Sequence, residues 1–281
     1  MKLSRLHISI VLYSTPISDL YKCLSSIKNS ITDSFDVYIT LIDHSPFSMR
    51  VAIEGLGLLS SLHCVYIHDR FNPGYASGHN RALLHSIDHN FDYHLVLNPD
   101  IYFSPSTISD LIAHMTTHKS VGLAMPSVYS FDGELQYLCK LIPHPFDFLF
   151  RILPFTRSLP TKFNLFSKIA STSSVPVSVP YLSGCFMFIR VSYINYELMF
   201  DSQFFLYPED LDFSRRLYSV CDCQYVPSVR VTHRHVAASK KSLRLFLAHL
   251  FNMSLYYMKW GWFIDSDRSK ANFLALSRLR Y

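Results

Sequence analysis

The first 125 residues alternate short β-rich runs with runs at helical spacing, in the order β-α-β-β-α-β-α-β, and this constrains the fold more than any other feature. The strand runs are residues 6–13, 37–42, 65–67, 95–97 and 121–125. One helix opens after Pro16 with Leu20, Cys23, Leu24 and Ile27 at helical spacing, and a second runs from about residue 75 to 87. A third starts at Ser104-Pro105-Ser106, with proline near its first turn. Strands separated by helices imply a mostly parallel sheet covered on both faces. Parallel strands bring their C-terminal ends to one edge, where open α/β sheets bind ligands. Three of those ends are polar: Asp43, the loop from Asn72 to Arg81, and Asn98-Pro99-Asp100.

The last of these follows the apolar Leu95-Val96-Leu97. A buried strand cannot hold Asn98 and Asp100, so both belong at its mouth, where Pro99 stops the strand. A carboxylate on such a stiff turn either serves a hard divalent cation, which keeps positions open for phosphate oxygens, or belongs to an ordinary Asn-Pro-Asp turn.

Beyond residue 138 the pattern fails. Residues 139–178 mix proline with Phe146, Phe148, Phe150 and Phe155 and contain Ser171-Thr172-Ser173-Ser174, an irregular insertion with room for short helices. It reads as a lid, an acceptor flap, a membrane-facing patch or a loop packed on the core. Regular structure returns over residues 179–190, where Gly184 lets a ligand approach the backbone. Glu209, Asp210 and Asp212 follow Phe204 and Phe205 at a helix start. Carboxylates favour that end of the helix dipole. Apolar walls would raise their pKa toward that of a usable base; the alternative is a solvated acidic turn. A late strand, residues 229–232, ends in His233-Arg234-His235, a pair that either ligates or is structural. A helical run over residues 243–260 ends in an aromatic, basic stretch with Tyr256, Tyr257, Trp260, Trp262 and Phe263. With Lys240 and Lys241 ahead of it, that run either lies in a bilayer interface or packs on the sheet.

Composition excludes several classes. The net charge of +5 comes from scattered Lys and Arg, with no basic aromatic groove for nucleic acid. The six cysteines lack zinc spacing, and no leader precedes the first strand, so reduced thiols in the cytosol are expected. No uncharged stretch reaches the roughly 20 residues of a membrane span. The first strand lacks the G-x-G-x-x-G of a dinucleotide site.

Four segments together resemble glycosyltransferase family 2, inverting enzymes of the GT-A fold, and most closely its bacterial O-antigen rhamnosyltransferase branch. Residues 72–80, Asn-Pro-Gly-Tyr-Ala-Ser-Gly-His-Asn, are similar to that branch's N-x-G-[FY]-[GA]-x-[GA]-x-N segment. Asn98-Pro99-Asp100 resembles its NPD form of the metal-binding DxD motif. Ser183-Gly184-Cys185-Phe186-Met187 matches its SG-x-F-M strand, and residues 204–212 its FF-x-Y-x-ED-x-D segment. The likeness runs from the first strand to the helix after His235.

The resemblance implies an α/β, Rossmann-like GT-A domain over residues 1–238 and a helical, membrane-associating extension over 239–281. It implies donor contacts from Tyr13, Asp43, Asn72, Gly74 and Asn80, and from Asn98, Asp100, Ser183 and Gly184. Asp43 would meet the donor's base or ribose. Asp100 would hold Mg²⁺ or Mn²⁺ against the diphosphate, with His233 completing the metal site. Asp210, with Glu209 beside it, would supply the general base. The implied reaction moves L-rhamnose from dTDP-rhamnose to a lipid-linked saccharide at the cytoplasmic face of the inner membrane, without nucleic-acid partners. Galactosyl, galactofuranosyl or N-acetylglucosaminyl donors are the nearest alternative; a nucleotidyltransferase and a non-catalytic sugar-binding protein are further ones. Two positions depart from the family pattern: Asn98 replaces the first acid of DxD, and His44 stands where the family often has Asn.

Overall fold

The computed structural model describes residues 3–152, 161–234 and 243–279. The chain runs β1 (Ser4–Leu12), α1 (Ile17–Ser30), β2 (Phe35–Asp43), α2 (Arg50–Glu54), β3 (His63–His68), α3 (Tyr75–Asp88) and β4 (Tyr93–Leu97). It continues with β5 (Ile101–Phe103), α4 (Thr107–Thr117), β6 (Val121–Ser130), α5 (Pro145–Ile152), α6 (Lys162–Ser171) and β7 (Val177–Ser178). The last elements are β8 (Phe186–Arg190), α7 (Glu209–Tyr218), β9 (Asp222–His233), α8 (Leu243–Trp260) and α9 (Ser266–Arg278).

The strands form one sheet in the order β3-β2-β1-β4-β8-β6-β9-β5, with β7 pairing β9. β1 pairs β2 and β4 in parallel, and β2 pairs β3 in parallel, as the β-α-β alternation requires. β6 and β9 form a second parallel pair. β8 is antiparallel to both β4 and β6 and joins the two parallel blocks. Side-chain alternation along β1 splits the core. Leu6, Ile8, Ile10 and Leu12 pack with Leu20 and Leu24 of α1 and Ile108 and Leu111 of α4. The opposite face of the sheet, with Val96, Leu123 and Met125, is covered by Ala76 and Leu83 of α3 and Phe213 and Leu217 of α7.

Several elements differ from the sequence reading. The run 179–190 is a strand only over its last five residues, because Ser183-Gly184-Cys185 turns to serve the site. Pro105 lies before the α4 N-cap Ser106 and not in the first turn. The 139–178 insertion holds the short helices the sequence allowed, α5 and α6, and also the two-residue strand β7; α6 buries Phe163, Phe166 and Ala170. Expectations resting on Phe155, His235, Lys240 and Lys241 lie outside the described residues.

The C-terminal helices are tied to α7. Arg215 donates to Asp265 through both amino groups, at 2.7 and 2.5 Å, and stacks on Trp260 at 3.8 Å. The Trp260 indole donates to Asp212 at 2.7 Å, and Tyr256 and Tyr257 are buried. These three rings therefore face the protein interior. Among the described residues, no helix is long and apolar enough to cross a membrane.

Candidate active site

The C-terminal ends of β1, β2 and β4 open onto a cavity of about 620 Å³. Val11 and Tyr13 line it at the end of β1, His44 after β2, and Asn98, Pro99 and Asp100 after β4. Asn72, Gly74 and Tyr75 enter from the glycine loop, and Ser183, Gly184 and Cys185 from the turn into β8. Phe205, Leu206, Tyr207, Glu209 and Asp210 close one side, His233 another, and Leu245 and Ala248 of α8 a third. A cleft of about 730 Å³ beside β5 and α4 is larger, but contains none of the expected site residues.

Register explains why Asp100 meets His233. β5 runs antiparallel to β9 with Ile101 opposite His233, so the residue before Ile101 falls beside that ring. His233 Nε2 lies 3.2 Å from Asp100 Oδ1. Burial opposes charge on His233, but hydrogen bonds to Asp100 and Cys185 outweigh it and raise its pKa to about 10. Among the described residues, no three His, Cys, Asp or Glu side chains form a ready cation cage. Two ligands are still enough for Mg²⁺ or Mn²⁺ when phosphate oxygens and water complete the shell. Asp100 and His233 fit that role, and His233 would have to be a neutral imidazole to serve as a ligand.

The glycine loop is fixed by close approach. Gly74 has φ +98°, and a Cβ there would sit 2.4 Å from the Phe205 carbonyl. Tyr75 N–H donates to that same carbonyl at 3.1 Å. The Tyr75 hydroxyl donates to Gly184 O at 2.7 Å and lies 3.2 Å from Asn98 Oδ1. One phenol thus joins three of the four motifs that carry the family likeness. Asn80 does not line the cavity. Its amide donates to Phe200 O at 2.7 Å and accepts from Phe200 N–H at 3.0 Å, which fastens α3 to the segment leading to the acids.

Asp43 is also placed differently from the expectation. It is fully buried and absent from the cavity wall. Oδ1 accepts from Ser45 N–H at 2.9 Å; Oδ2 accepts from Met49 N–H at 2.9 Å and from the Tyr66 hydroxyl. Burial alone would raise its carboxyl, but these hydrogen bonds prevail and hold it below the ordinary carboxylate range. A carboxylate so occupied shapes the loop after β2; its neighbour His44 reaches the cavity instead. His44 Nδ1 lies 3.1 Å from the Asp69 carbonyl, which sets the ring's tautomer.

Three acids begin α7, and the fold gives each a different task. Asp212 is fully buried and binds Arg216, Trp260 and Lys259. Asp210 faces the cavity. Gly184 N–H donates to its Oδ2 at 3.0 Å, Leu211 N–H to Oδ1 at 2.8 Å, and the Tyr181 hydroxyl lies 3.4 Å from Oδ1. Glu209 is the acid that apolar surroundings affect most. Burial, and then the Asp210 charge, push its pKa up to about 8. The contribution of α8 escaped the sequence reading. Asn252 donates to Leu206 O at 2.7 Å and His249 stacks on Phe148, so this distant helix braces the segment carrying the acids.

No protein-family model matches the chain. It is 28% identical over 171 residues to an N-acetylglucosaminyl-diphospho-decaprenol L-rhamnosyltransferase of Mycobacterium tuberculosis, covering 56% of this chain and 55% of that protein. It is 27% identical over 172 residues to a low-salt glycan biosynthesis hexosyltransferase of Haloferax volcanii, covering 58% of this chain and 50% of that protein. The matches span about half the length of these curated relatives. Among solved structures, a mannosyltransferase from Pyrobaculum calidifontis in complex with GDP-Man and Mn²⁺ superposes with a TM-score of 0.62 at 12% identity, over 99% of this chain and 70% of that one. The chain therefore has the GT-A fold, and its sequence is similar to that of glycosyltransferases of the family 2 kind.

Proposed function

We propose that this protein is an inverting, metal-assisted glycosyltransferase that moves a hexose, L-rhamnose from dTDP-rhamnose, onto a lipid-linked saccharide of a cell-surface polysaccharide such as O-antigen. The observation that carries this reading is the meeting of Asp100 and Asp210 on one cavity, where Gly184 accepts from the Tyr75 hydroxyl and donates to Asp210. The rhamnosyl donor and the lipid-linked acceptor are taken from the name of the M. tuberculosis relative. In an inverting transfer the acceptor oxygen bonds to the anomeric carbon as the bond to the diphosphate oxygen breaks. The acceptor's proton passes to Asp210, and the bonding electrons leave with the nucleoside diphosphate. Backbone donors from Gly184 and Leu211 keep the Asp210 carboxylate aimed at the acceptor. When a divalent cation is bound, Asp100 and His233 hold it, and its charge offsets that of the leaving diphosphate.

Calorimetric titration tests this assignment. dTDP is expected to bind wild-type protein at least about tenfold more tightly with Mn²⁺ than with EDTA, and Asp100→Ala should remove that difference. Equal affinities in both buffers would remove the metal from the reading. Running dTDP-rhamnose against UDP-galactose, UDP-galactofuranose and UDP-N-acetylglucosamine separates the candidate donors.

A lipid-linked acceptor places the reaction at a membrane, here the cytoplasmic face of the inner membrane. With Tyr256, Tyr257 and Trp260 turned inward, attachment rests on other rings. Phe263 is 62% exposed, Ile264 93% and Phe146 53%, and the Phe146 and Phe263 rings lie 6.0 Å apart. Trp262 is exposed beside them. Aromatic side chains favour the interface. The protein is expected to sediment with anionic liposomes at low salt, and Phe146→Ser/Phe263→Ser/Ile264→Ser to remain in the supernatant while keeping the wild-type Tm. Wild-type protein left in the supernatant would exclude this surface as an anchor.

A further inference from the structure

Glu209 is an acid with no task in the chemistry described so far. It lies in the wall of the cavity, 5% exposed, and among the described residues its Oε2 has no hydrogen-bond partner. A buried carboxyl oxygen left without a partner costs free energy, so such an atom points to a ligand. Its surroundings locate that ligand. Tyr75 links the two loops beside it, its hydroxyl donating to Gly184 O and lying 3.2 Å from Asn98 Oδ1 while Gly184 N–H donates to Asp210. The transferred sugar must occupy the same junction, since it stands between the leaving diphosphate near Asp100 and the attacking hydroxyl near Asp210. The nucleoside belongs at the other end, with Val11, Tyr13 and His44.

We propose that Glu209 is the residue that reads the transferred sugar, its carboxyl donating a hydrogen bond to one of the sugar's hydroxyl groups. This rests on the glycosyltransferase reading above and deepens it by separating two adjacent acids. Asp210, surrounded by backbone and phenol donors, takes a proton; Glu209, buried next to that charge, is pushed toward its neutral form against hydrogen bonds from the Glu209 and Tyr207 backbone. A neutral carboxyl can donate where a carboxylate only accepts. It also adds no second negative charge beside a donor that already carries a diphosphate.

The test compares Glu209→Gln and Glu209→Met with wild-type protein. Affinities for dTDP and for dTDP-rhamnose are measured in parallel with Mn²⁺, and Tm reports folding. All three proteins are expected to bind dTDP alike. The amide of Glu209→Gln still donates, so that variant should bind dTDP-rhamnose within about threefold of wild type. Glu209→Met should lose about tenfold on dTDP-rhamnose alone, the size of one hydrogen bond. Donor analogues lacking one sugar hydroxyl should include one that wild type binds about tenfold more weakly and Glu209→Met does not distinguish. Equal loss of dTDP and dTDP-rhamnose in Glu209→Met, or no loss of either, overturns the assignment. Wild-type protein that binds dTDP-rhamnose no better than dTDP overturns it as well. If wild type binds neither dTDP nor any of the nucleotide sugars above, the functional reading falls and takes this assignment with it.

Discussion

Asp210→Asn is expected to lower kcat by about 10²–10⁴-fold while leaving dTDP affinity within about twofold of wild type, as loss of a general base does. The asparagine keeps one oxygen that can accept from Gly184 N–H or from Leu211 N–H, and its amide nitrogen cannot accept from the other, so one of the two contacts that aim the side chain is lost and Tm reports what that costs the loop. What it loses is the capacity to take the acceptor's proton. The neighbouring acids make useful controls. Asp212 binds Arg216, Trp260 and Lys259 and has no access to the cavity, so Asp212→Asn should lower Tm before it changes chemistry. Glu209→Met should change sugar binding more than the pH at which turnover rises. Steady-state kinetics with dTDP-rhamnose, paired with calorimetry on dTDP, separates the three. If Asp210→Asn turns over at close to the wild-type rate, Asp210 is not the base, and the division of labour between Glu209 and Asp210 collapses.

The parts of the site visible in the sequence were those set by local pattern. An apolar run ending in Asn98-Pro99-Asp100 has to end at a sheet edge, and it does. Gly74 stood in a glycine motif, and its positive φ and contact with Phe205 show why only glycine serves there. The acids after Phe204 and Phe205 begin a helix, as their charge and spacing implied. What the sequence concealed depends on contacts between distant segments. Asp43 ends a strand just as Asp100 does. Yet a loop six residues long folds back to Met49, and Tyr66 on the next strand takes the rest of its carboxylate. No local pattern distinguishes an acid that faces a ligand from one consumed by its own loop. The aromatic run at the end of α8 was ambiguous for a similar reason. An interfacial helix and a packed one share the same amphipathic pattern, and only the partners of Tyr256 and Trp260 in α7 decide between them. The antiparallel β8 could not be read either, since strand direction is a property of the sheet and not of the segment.

Stability is expected to peak near pH 6.5 and to fall on the acid side, because the face of the sheet under α3 holds a chain of neutral histidines. His7 Nε2 meets Thr40 Oγ1 at 2.8 Å, and its Nδ1 meets Ser86 Oγ at 2.7 Å. Ser86 Oγ reaches His94 Nδ1 at 2.7 Å, His94 Nε2 reaches Ser9 Oγ at 2.9 Å, and Ser9 Oγ reaches His79 Nδ1 at 2.6 Å. His7, His79 and His94 are buried, and burial is the main cause lowering their pKa, to about 3 for His7 and His79 and far below the ordinary value for His94. The unfolded chain binds protons at these rings near pH 6.5, and the folded chain does not. Their contribution is therefore complete above pH 6.5 and is lost as pH falls toward 3, each ring costing on the order of a few kcal/mol by then. Two groups act in the other direction. Glu209, raised to about 8, contributes fully below about pH 4.5, and that contribution is lost as pH rises through 8. His233, raised to about 10, contributes fully below about pH 6.5 and loses it as pH rises through 10. Three rings outweigh one carboxyl on the acid side. Tm is expected to drop on the order of 10 °C between pH 6.5 and 4.5, a slope that His94→Gln should flatten. On the alkaline side both raised groups lower Tm, and Glu209→Gln should remove its share of that decline up to pH 8. A Tm that is flat from pH 7 to 4.5 would mean that the histidine chain accepts protons without opening the fold.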